Sequence, residues 1–306
     1  MNYKKILKNR KTRLKILRLL DFIPDPTMLK IQYYIKFKRI LNLKNPQRYS
    51  EKIQWYKLYY RDPLMSLCSD KADVRDYVKD IGLEEILNEC YGVYSSVDEI
   101  DFNSLPDSFV IKDTLGGGGN AIIFVEDKNA ADLEKIKETA RAWTNTECKK
   151  KTAGREWVYG GKKHRIIVEK LLSRDEKGNI PDYKFFCFNG QIFCSYMISE
   201  RFSSSDASKG IMGYFDRNFN LMPVSRTDFT PMKEPAEKPE NYEQMLNCVE
   251  ILAKPFPHVR VDIYNVNGKV VFGELTFFGA SGYAQFNPDE FDFEMGKKFV
   301  LQRKQK

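Results

Sequence analysis

The chain has 306 residues, enough to bury a full core divided among two or three lobes. It has no apolar run long enough for a bilayer and no signal-peptide pattern, so a soluble, cytoplasmic protein is expected. Six cysteines (Cys68, Cys90, Cys148, Cys187, Cys194, Cys248) without a Cys-x-x-Cys pair, and only two histidines (His164, His258), fit neither a zinc site nor a disulfide framework. The net charge of +8 suggests a nucleic-acid partner until it is localised: the first 20 residues hold eight basic residues and no acid, leaving 42 basic against 42 acidic residues.

Residues 1–20 place Tyr3, Ile6, Leu7, Leu14, Leu17 and Leu20 near one helical face, with Lys and Arg covering the others. This pattern fits a solvated terminal helix or a basic amphipathic helix on an anionic membrane surface. No nucleic-acid motif follows, so no nucleic-acid partner is expected.

From Asp25-Pro26 to Tyr94 the pattern stays helical, with a helix start at Ser50-Glu51 and a stop at Gly82. Lys71 and Arg75 lie one helical turn apart. They fit a phosphate or carboxylate contact, and equally surface pairs with Asp76 or Asp80.

Residues 108–127 then read as strand, Gly-rich turn and strand. Gly116, Gly117, Gly118 and Gly119 followed by Asn120 let backbone N–H groups approach phosphate oxygens, with Lys112 placed to neutralise them. The run lacks the Lys-Ser/Thr of a Walker A loop and the G-x-G-x-x-G spacing. A flexible hairpin tip with a surface lysine fits the same residues. Asn129–Thr144 has a helical pattern, and residues 164–173 read as a buried strand ending in Glu169, Lys170, Leu171 and Leu172. That end suits an adenine amino group and base edge, or an exposed strand-end glutamate.

Residues 180–202 form a hairpin pattern turning at Asn189-Gly190, with Asp182, Lys184, Glu200 and Arg201 at its open end. Lys184 and Arg201 offer positive charge in one place, as a γ-phosphate requires, or paired surface charges. Residues 203–232 read as loop-rich and 241–254 as helical.

Val259 to Gly282 reads as two strands around Asn267-Gly268. Arg260, Asp262, Glu274 and Thr276 share a parity that suits one face if an odd number of residues, Val266-Asn267-Gly268, closes the loop or if the hairpin contains a bulge. Arg260 then faces Glu274, with Asp262 diagonal to it. Two carboxylates so held repel unless a cation lies between them, and Mg²⁺ is commonly held by one or two carboxylates plus phosphate oxygens. An Arg260–Glu274 ion pair with Asp262 solvated fits the same pattern.

Taken in order, the blocks around Lys112 and the glycines, Arg165–Leu172, Pro181–Gly190 and Val259–Gly282 resemble an ATP-grasp enzyme. More narrowly they resemble its TupA-like branch, associated with bacterial surface polysaccharide synthesis, as do SDKADVRDYV, EKIQWYKLYYRDPL, REWVY and MGYFDRNFNL. The resemblance covers roughly residues 45 to 300. It implies an α+β ATP-grasp fold in which two α/β lobes with antiparallel sheets sandwich the nucleotide. The expected division is a helical N-terminal region (1–95), lobe A with the phosphate loop and adenine strand (96–172), and lobe B with the metal and phosphoryl-transfer site (173–306).

The resemblance further implies ATP and Mg²⁺ as cofactors. Lys112, Gly116, Gly117, Gly118, Gly119, Asn120, Asp182 and Lys184 would lie at the phosphates, and Glu169, Lys170, Leu171 and Leu172 at adenine. Asp262, Glu274 and Thr276 would bind metal, while Arg260, Lys184 and Arg201 would act in catalysis. The activity implied is an ADP-forming carboxylate-amine ligase joining an amino acid or amino sugar to a uronic-acid-containing glycan or precursor. A sugar phosphotransferase and a non-catalytic membrane-associated assembly factor are the alternatives. The chain departs from the family pattern where Leu115-Gly116-Gly117-Gly118 replaces a His-Gly-Ser-Gly type turn. It departs again where Thr276 replaces a metal-binding Asn and where the N-terminal region lacks an α/β pre-domain.

Overall fold

The computed structural model describes residues 16–17, 19–117, 121–174, 178, 180–199 and 210–302. The basic segment 1–20 therefore lies almost wholly outside the described residues. From Asp25 onward the described residues begin with the helices α1 (Asp25–Phe37), α2 (Tyr49–Tyr59), α3 (Pro63–Cys68) and α4 (Val74–Asp80). Pro26 sits in the first turn of α1, where its missing N–H costs nothing, and left-handed Lys38 ends it by donating its N–H to Tyr34 O at 2.8 Å. Glu51 fixes the start of α2, its carboxylate accepting the N–H groups of Gln47 (2.8 Å) and Arg48 (3.1 Å).

The expected run of helix to Tyr94 breaks early. Cys90–Tyr94 is a strand, β1, which enters a four-stranded sheet with β2 (Phe109–Asp113), β3 (Ile122–Val125) and β4 (Ile166–Lys170) in the order β1-β4-β2-β3. Its apolar residues are few and partly exposed, so its place is set by pairing with β4 more than by its own pattern. Helix α5 (Leu133–Thr144) packs Ile136 and Ala140 against Phe109, Ile111, Ile166 and Val168 on one face of this sheet. Successive strand residues point to opposite faces, so Val110, Lys112, Ile167 and Glu169 lie on the other.

The second sheet has six strands in the order β11-β10-β5-β6-β7-β9. They are β5 (Asp182–Phe188), β6 (Gln191–Ser199), β7 (Ile211–Phe215), β9 (Thr230–Pro231), β10 (His258–Val266) and β11 (Lys269–Thr276), and all pairs are antiparallel except β7-β9. The strand β7 corrects the loop-rich reading of that region. A short pair of β8 (Ser225–Arg226) and β12 (Phe286–Asn287) lies beside it. Helix α6 (Tyr242–Ala253) packs along this sheet, and α7 (Phe291–Lys298) against α2. One core joins the six-stranded sheet to α2, α3, α4, α6 and α7, so these three N-terminal helices are built onto the larger sheet. The architecture is α+β. No helix among the described residues is long and apolar enough to cross a membrane.

Candidate active site

Strands β10 and β11 meet at Asn267-Gly268, both with positive φ (51° and 76°), in a two-residue loop that pairs Val266 with Lys269. Of the two expected routes to a common face, an odd loop or a bulge, the hairpin takes the bulge. The extra residue is Gly273, bulged between the Asp262–Glu274 and Ile263–Phe272 pairs. A Cβ on Gly273 would lie 2.9 Å from Asp262 O, so the bulge needs glycine there. The bulge shifts the register: Asp262 stands opposite Glu274, and Arg260 opposite Thr276. The expected facing of Arg260 and Glu274 is thereby corrected.

Paired residues on adjacent strands share a face, so the register writes one row across five strands: Glu274, Asp262, Lys184, Tyr196 and Tyr214. The α6 side instead receives Val259, Val261 and Ile263, all fully buried.

Within this row the charges are interlocked. Arg260 donates from Nε to Asp262 Oδ1 (2.6 Å) and from Nη2 to Asp262 Oδ2 (2.7 Å), with weaker reach to Glu274 Oε1 (3.2 Å) and Thr276 Oγ1 (3.0 Å). Its Nη1 donates to the Tyr196 hydroxyl at 3.2 Å. Lys184 Nζ bridges Asp182 Oδ1 and Asp262 Oδ2, both at 2.7 Å. Asp262 is thus buried and paired, and the solvated alternative does not occur.

Burial would lower Lys184, but Asp182 and Asp262 outweigh it and hold the lysine above its ordinary range. Burial raises the Asp262 carboxyl, and Arg260 and Lys184 oppose that rise. With both oxygens accepting from two cations within 2.7 Å, we assign Asp262 as the carboxylate. Glu274 is 38% exposed; its burial is outweighed by the charges of Lys71, Arg260 and Lys184, which bring it down to about 2.

The four-stranded sheet presents a second cluster. Lys112 Nζ donates to Glu169 Oε2 at 2.6 Å, and Arg75 Nη1 to Glu169 Oε1 at 3.1 Å. Glu169 is buried, unlike an exposed strand-end glutamate, and Arg75 is tied to it in place of Asp76 or Asp80. Lys170 is exposed and pairs with Glu89 at 3.3 Å, while Leu171 and Leu172 follow half-buried. Gly116 has no room for a side chain, since a Cβ would lie 2.5 Å from that of Ala121. Gly117 is the next described residue; Gly118, Gly119, Asn120 and Arg201 lie outside the described residues.

Two lysines of the helical region enter here: Lys71, a phosphate or carboxylate candidate by sequence, and Lys57, which no motif marks. Lys71 donates from Nζ to Gly116 O, where the glycine run begins. Lys57, buried at the end of α2, donates to Gly154 O (2.9 Å), Ser281 O (2.9 Å), Ser281 Oγ (2.8 Å) and Gln54 Oε1 (3.2 Å). It holds the segment Gly279–Gly282, in which Ala280 and Ser281 have positive φ and a Cβ on Gly279 would stand 3.4 Å from Arg260 Nη1. The short-range signal for Lys71 was its place in SDKADV; Lys57 carried none.

The donors around Asp262 and Glu274 are oxygens alone. No group of three or more His, Cys, Asp and Glu gathers among the described residues. Two carboxylates on paired strands, one of them partly open to solvent, fit Mg²⁺ that takes its remaining ligands from phosphate and water.

Residues 51–300 match the family model described as TupA-like ATPgrasp. The chain belongs to the TupA-like ATP-grasp family. Among solved structures, D-alanine–D-alanine ligase from Bacillus anthracis aligns with 77% of this chain and 69% of its own at 16% identity, with a TM-score of 0.46. The enzyme of that name from Helicobacter pylori aligns with 82% and 68% at 14% identity and a TM-score of 0.43. The ATP-grasp ligase PsnB, complexed with a phosphomimetic variant of its minimal precursor, Mg and ADP, aligns with 82% and 66% at 12% identity and a TM-score of 0.43. The comparison with curated proteins found no match. In this TupA-like ATP-grasp chain the family's order of blocks falls on two sheets, with Lys112 and Glu169 on the smaller and Lys184, Arg260, Asp262 and Glu274 on the larger.

Proposed function

We propose that the chain is an ADP-forming ligase. A substrate carboxylate takes the γ-phosphoryl group of ATP, releasing ADP, and an amine then displaces phosphate from the acyl phosphate to form an amide. The observation that carries this reading is the row Glu274–Asp262–Lys184 with Arg260 laid over it, a fixed set of opposite charges suited to a transferring phosphoryl group.

In this reading Arg260 balances charge on the phosphoryl group and on the acyl phosphate. Its guanidinium is already oriented by Asp262 and Tyr196, so little ordering remains when substrate arrives. Lys184, set between Asp182 and Asp262, neutralises a phosphate oxygen, with Arg201 as a further cation. Lys112 and residues 116–120 receive the remaining phosphates, and Glu169 to Leu172 the adenine. Asp262 and Glu274, with Thr276, would hold Mg²⁺, which when bound supplies charge neutralisation between the phosphates. No protein nucleophile is required.

By family resemblance the carboxylate belongs to a uronic-acid-containing surface glycan or precursor, and the amine to an amino acid or amino sugar. The setting is the cytoplasm, with residues 1–20 as a peripheral contact on the membrane's inner face. Thermal unfolding with ATP and Mg²⁺ across a panel of uronic acids and amino acids tests the assignment. The pair that stabilises most should also release ADP and phosphate. No stabilisation by ATP and Mg²⁺ would contradict the nucleotide site, and phosphate retained on a sugar product would make the enzyme a phosphotransferase.

A further inference from the structure

We propose that the exposed face of α1, centred on Ile31, Tyr34 and Ile35, docks on an anionic lipid bilayer. The proposal shares its setting with the contact assigned above to residues 1–20 but stands on other residues, and it does not depend on the ligase chemistry.

Helix α1 has two faces. Met28, Leu29 and Tyr33 are buried, while Thr27, Lys30, Ile31, Tyr34, Ile35 and Lys38 are exposed at helical spacing. Apolar side chains thus occupy the middle of a solvent-facing stripe that lysines edge, and Lys38 Nζ lies 5.7 Å from the centre of the Tyr34 ring. Of the twelve large apolar side chains exposed among the described residues, seven lie within residues 16–40, where Leu19 is 76%, Phe22 79% and Ile40 86% exposed. Single exposed apolar groups scattered over a surface are ordinary; more than half of them gathered on one helix and its two flanks mark an interaction surface.

The helix is fastened from behind, so the stripe does not fold inward. Gln32 donates from Nε2 to Ala153 O (2.9 Å) and accepts the Tyr283 hydroxyl at Oε1 (2.9 Å), and Gln285 Nε2 donates to Lys36 O (2.6 Å). Just before the helix, Arg155 donates from Nη1 to Asp21 Oδ1 (2.8 Å) and from Nη2 to Leu20 O (3.1 Å), and Lys151 Nζ donates to Asp21 O (3.0 Å).

Charge selects the occupant. Residues 26–50 hold six basic residues and no acid, and residues 1–20 hold eight and no acid. Arg39 and Arg48 are engaged by Asp289 at 2.8 and 2.9 Å, and Asp21 and Asp25 by Arg155 at 2.8 and 3.5 Å. Lys30, Lys38 and Lys44 are exposed on the stripe and just beyond it. A second copy laid on this face would set its own lysines against them, and residues 1–15, basic and without acid, offer no complement either. An anionic bilayer complements both parts of the stripe: the headgroup boundary takes the side chains of Ile31, Tyr34 and Ile35, and the lipid phosphates and carboxylates take the lysines.

Co-sedimentation of the full chain with vesicles of phosphatidylcholine alone, or of equal parts phosphatidylcholine and phosphatidylserine, tests this, with light scattering to report mass. Wild type should bind the anionic vesicles, leave the neutral ones, and bind less as salt rises. The pair Ile31→Ser and Ile35→Ser, and separately the pair Lys30→Gln and Lys38→Gln, should each weaken binding by about fivefold or more, while Ile31→Leu with Ile35→Leu stays close to wild type. All four positions are exposed, so unchanged thermal unfolding is expected and establishes that the variants fold. Wild-type affinity in the serine pair would overturn the proposal. So would loss of binding in Lys4→Gln, Lys5→Gln and Lys8→Gln combined with none in the α1 variants, which would confine the contact to residues 1–20. A dimer that dissociates in the serine pair, with no vesicle binding by wild type, would overturn it in favour of a second copy. Wild type that binds neither vesicle and stays monomeric would overturn both membrane contacts.

Discussion

Arg260 grips Asp262 through both carboxylate oxygens, at 2.6 and 2.7 Å, although the two residues lie on one strand with a single residue between them. The same carboxylate accepts from Lys184, so one buried acid orients two cations at once. Most of what this site can do, and several ways it can fail, follow from that arrangement.

Replacing Asp262 by Asn should damage the fold as well as the chemistry. It removes a buried charge between Arg260 and Lys184 and leaves both short of a counter-charge, a change that typically costs about 3–5 kcal/mol. Urea unfolding of Asp262→Asn against wild type measures it. A loss below about 1 kcal/mol would mean that Asp182 and Glu274 suffice to hold both cations.

Glu274→Gln should behave differently. Glu274 is partly exposed, and Arg260 and Lys184 keep their other partners without it. Turnover is expected to fall by about 100-fold or more while the unfolding midpoint stays near that of wild type. Full activity in this variant would end the metal assignment.

The bulge at Gly273 sets the register that brings Asp262 opposite Glu274. A Cβ there meets backbone, 2.9 Å from Asp262 O, which cannot rotate away. Gly273→Ala should therefore cost about 1–3 kcal/mol of stability and most of the activity. An active variant of wild-type stability would show that the strand tolerates a different register.

His258 offers a pH test of the core. It is fully buried, donates from Nδ1 to Cys187 O (3.0 Å) and accepts the Tyr49 hydroxyl at Nε2 (3.0 Å), as a neutral ring must. Burial lowers it to about 3, the Cys187 carbonyl opposing. Above pH 6.5 the ring is neutral in native and unfolded chains alike, and this stability is fully present. Between pH 6.5 and 3 only the unfolded chain takes up the proton, so stability falls as pH falls, by up to about 1.4 kcal/mol per pH unit from this group. The drop in unfolding midpoint from pH 7 to pH 5 should be smaller in His258→Gln than in wild type; an identical drop would refute a neutral buried ring.

Lys57 is a buried ammonium whose hydrogen-bond acceptors are all uncharged, and burial lowers it to about 8. Lys57→Met would strand the carbonyls of Gly154 and Ser281 and should destabilise by about 1–3 kcal/mol. Because the segment it holds abuts Arg260, activity should fall more than the unfolded fraction explains. Activity that merely follows the folded fraction would make Lys57 purely structural.

The hairpins were legible because Asn189-Gly190 and Asn267-Gly268 carry their conformation in two residues, and both take positive φ as such turns require. Helix α6 and strands β2 and β4 were legible from periodicity. The register of β10 against β11 was not, because a bulge is a local exchange of pairing for twist that leaves only a glycine in the sequence. Strand β1 was hidden for a related reason: half-exposed and short, it is a strand only because β4 lies beside it. Parity correctly placed Asp262 and Glu274 on one face. It did not reveal that Lys184 from β5 completes the row, nor that Lys57 of α2 and Lys71 of the turn before α4 are held to Gly154 O and Gly116 O, because those contacts are made by tertiary packing alone.

The acyl-phosphate route is tested most directly by isotope transfer. With a carboxylate substrate labelled with ¹⁸O in both oxygens, the route predicts that each turnover carries one labelled oxygen into the released phosphate, with ADP and amide formed in equal amounts. Amide formed with unlabelled phosphate, or label held on a phosphorylated sugar, would contradict it.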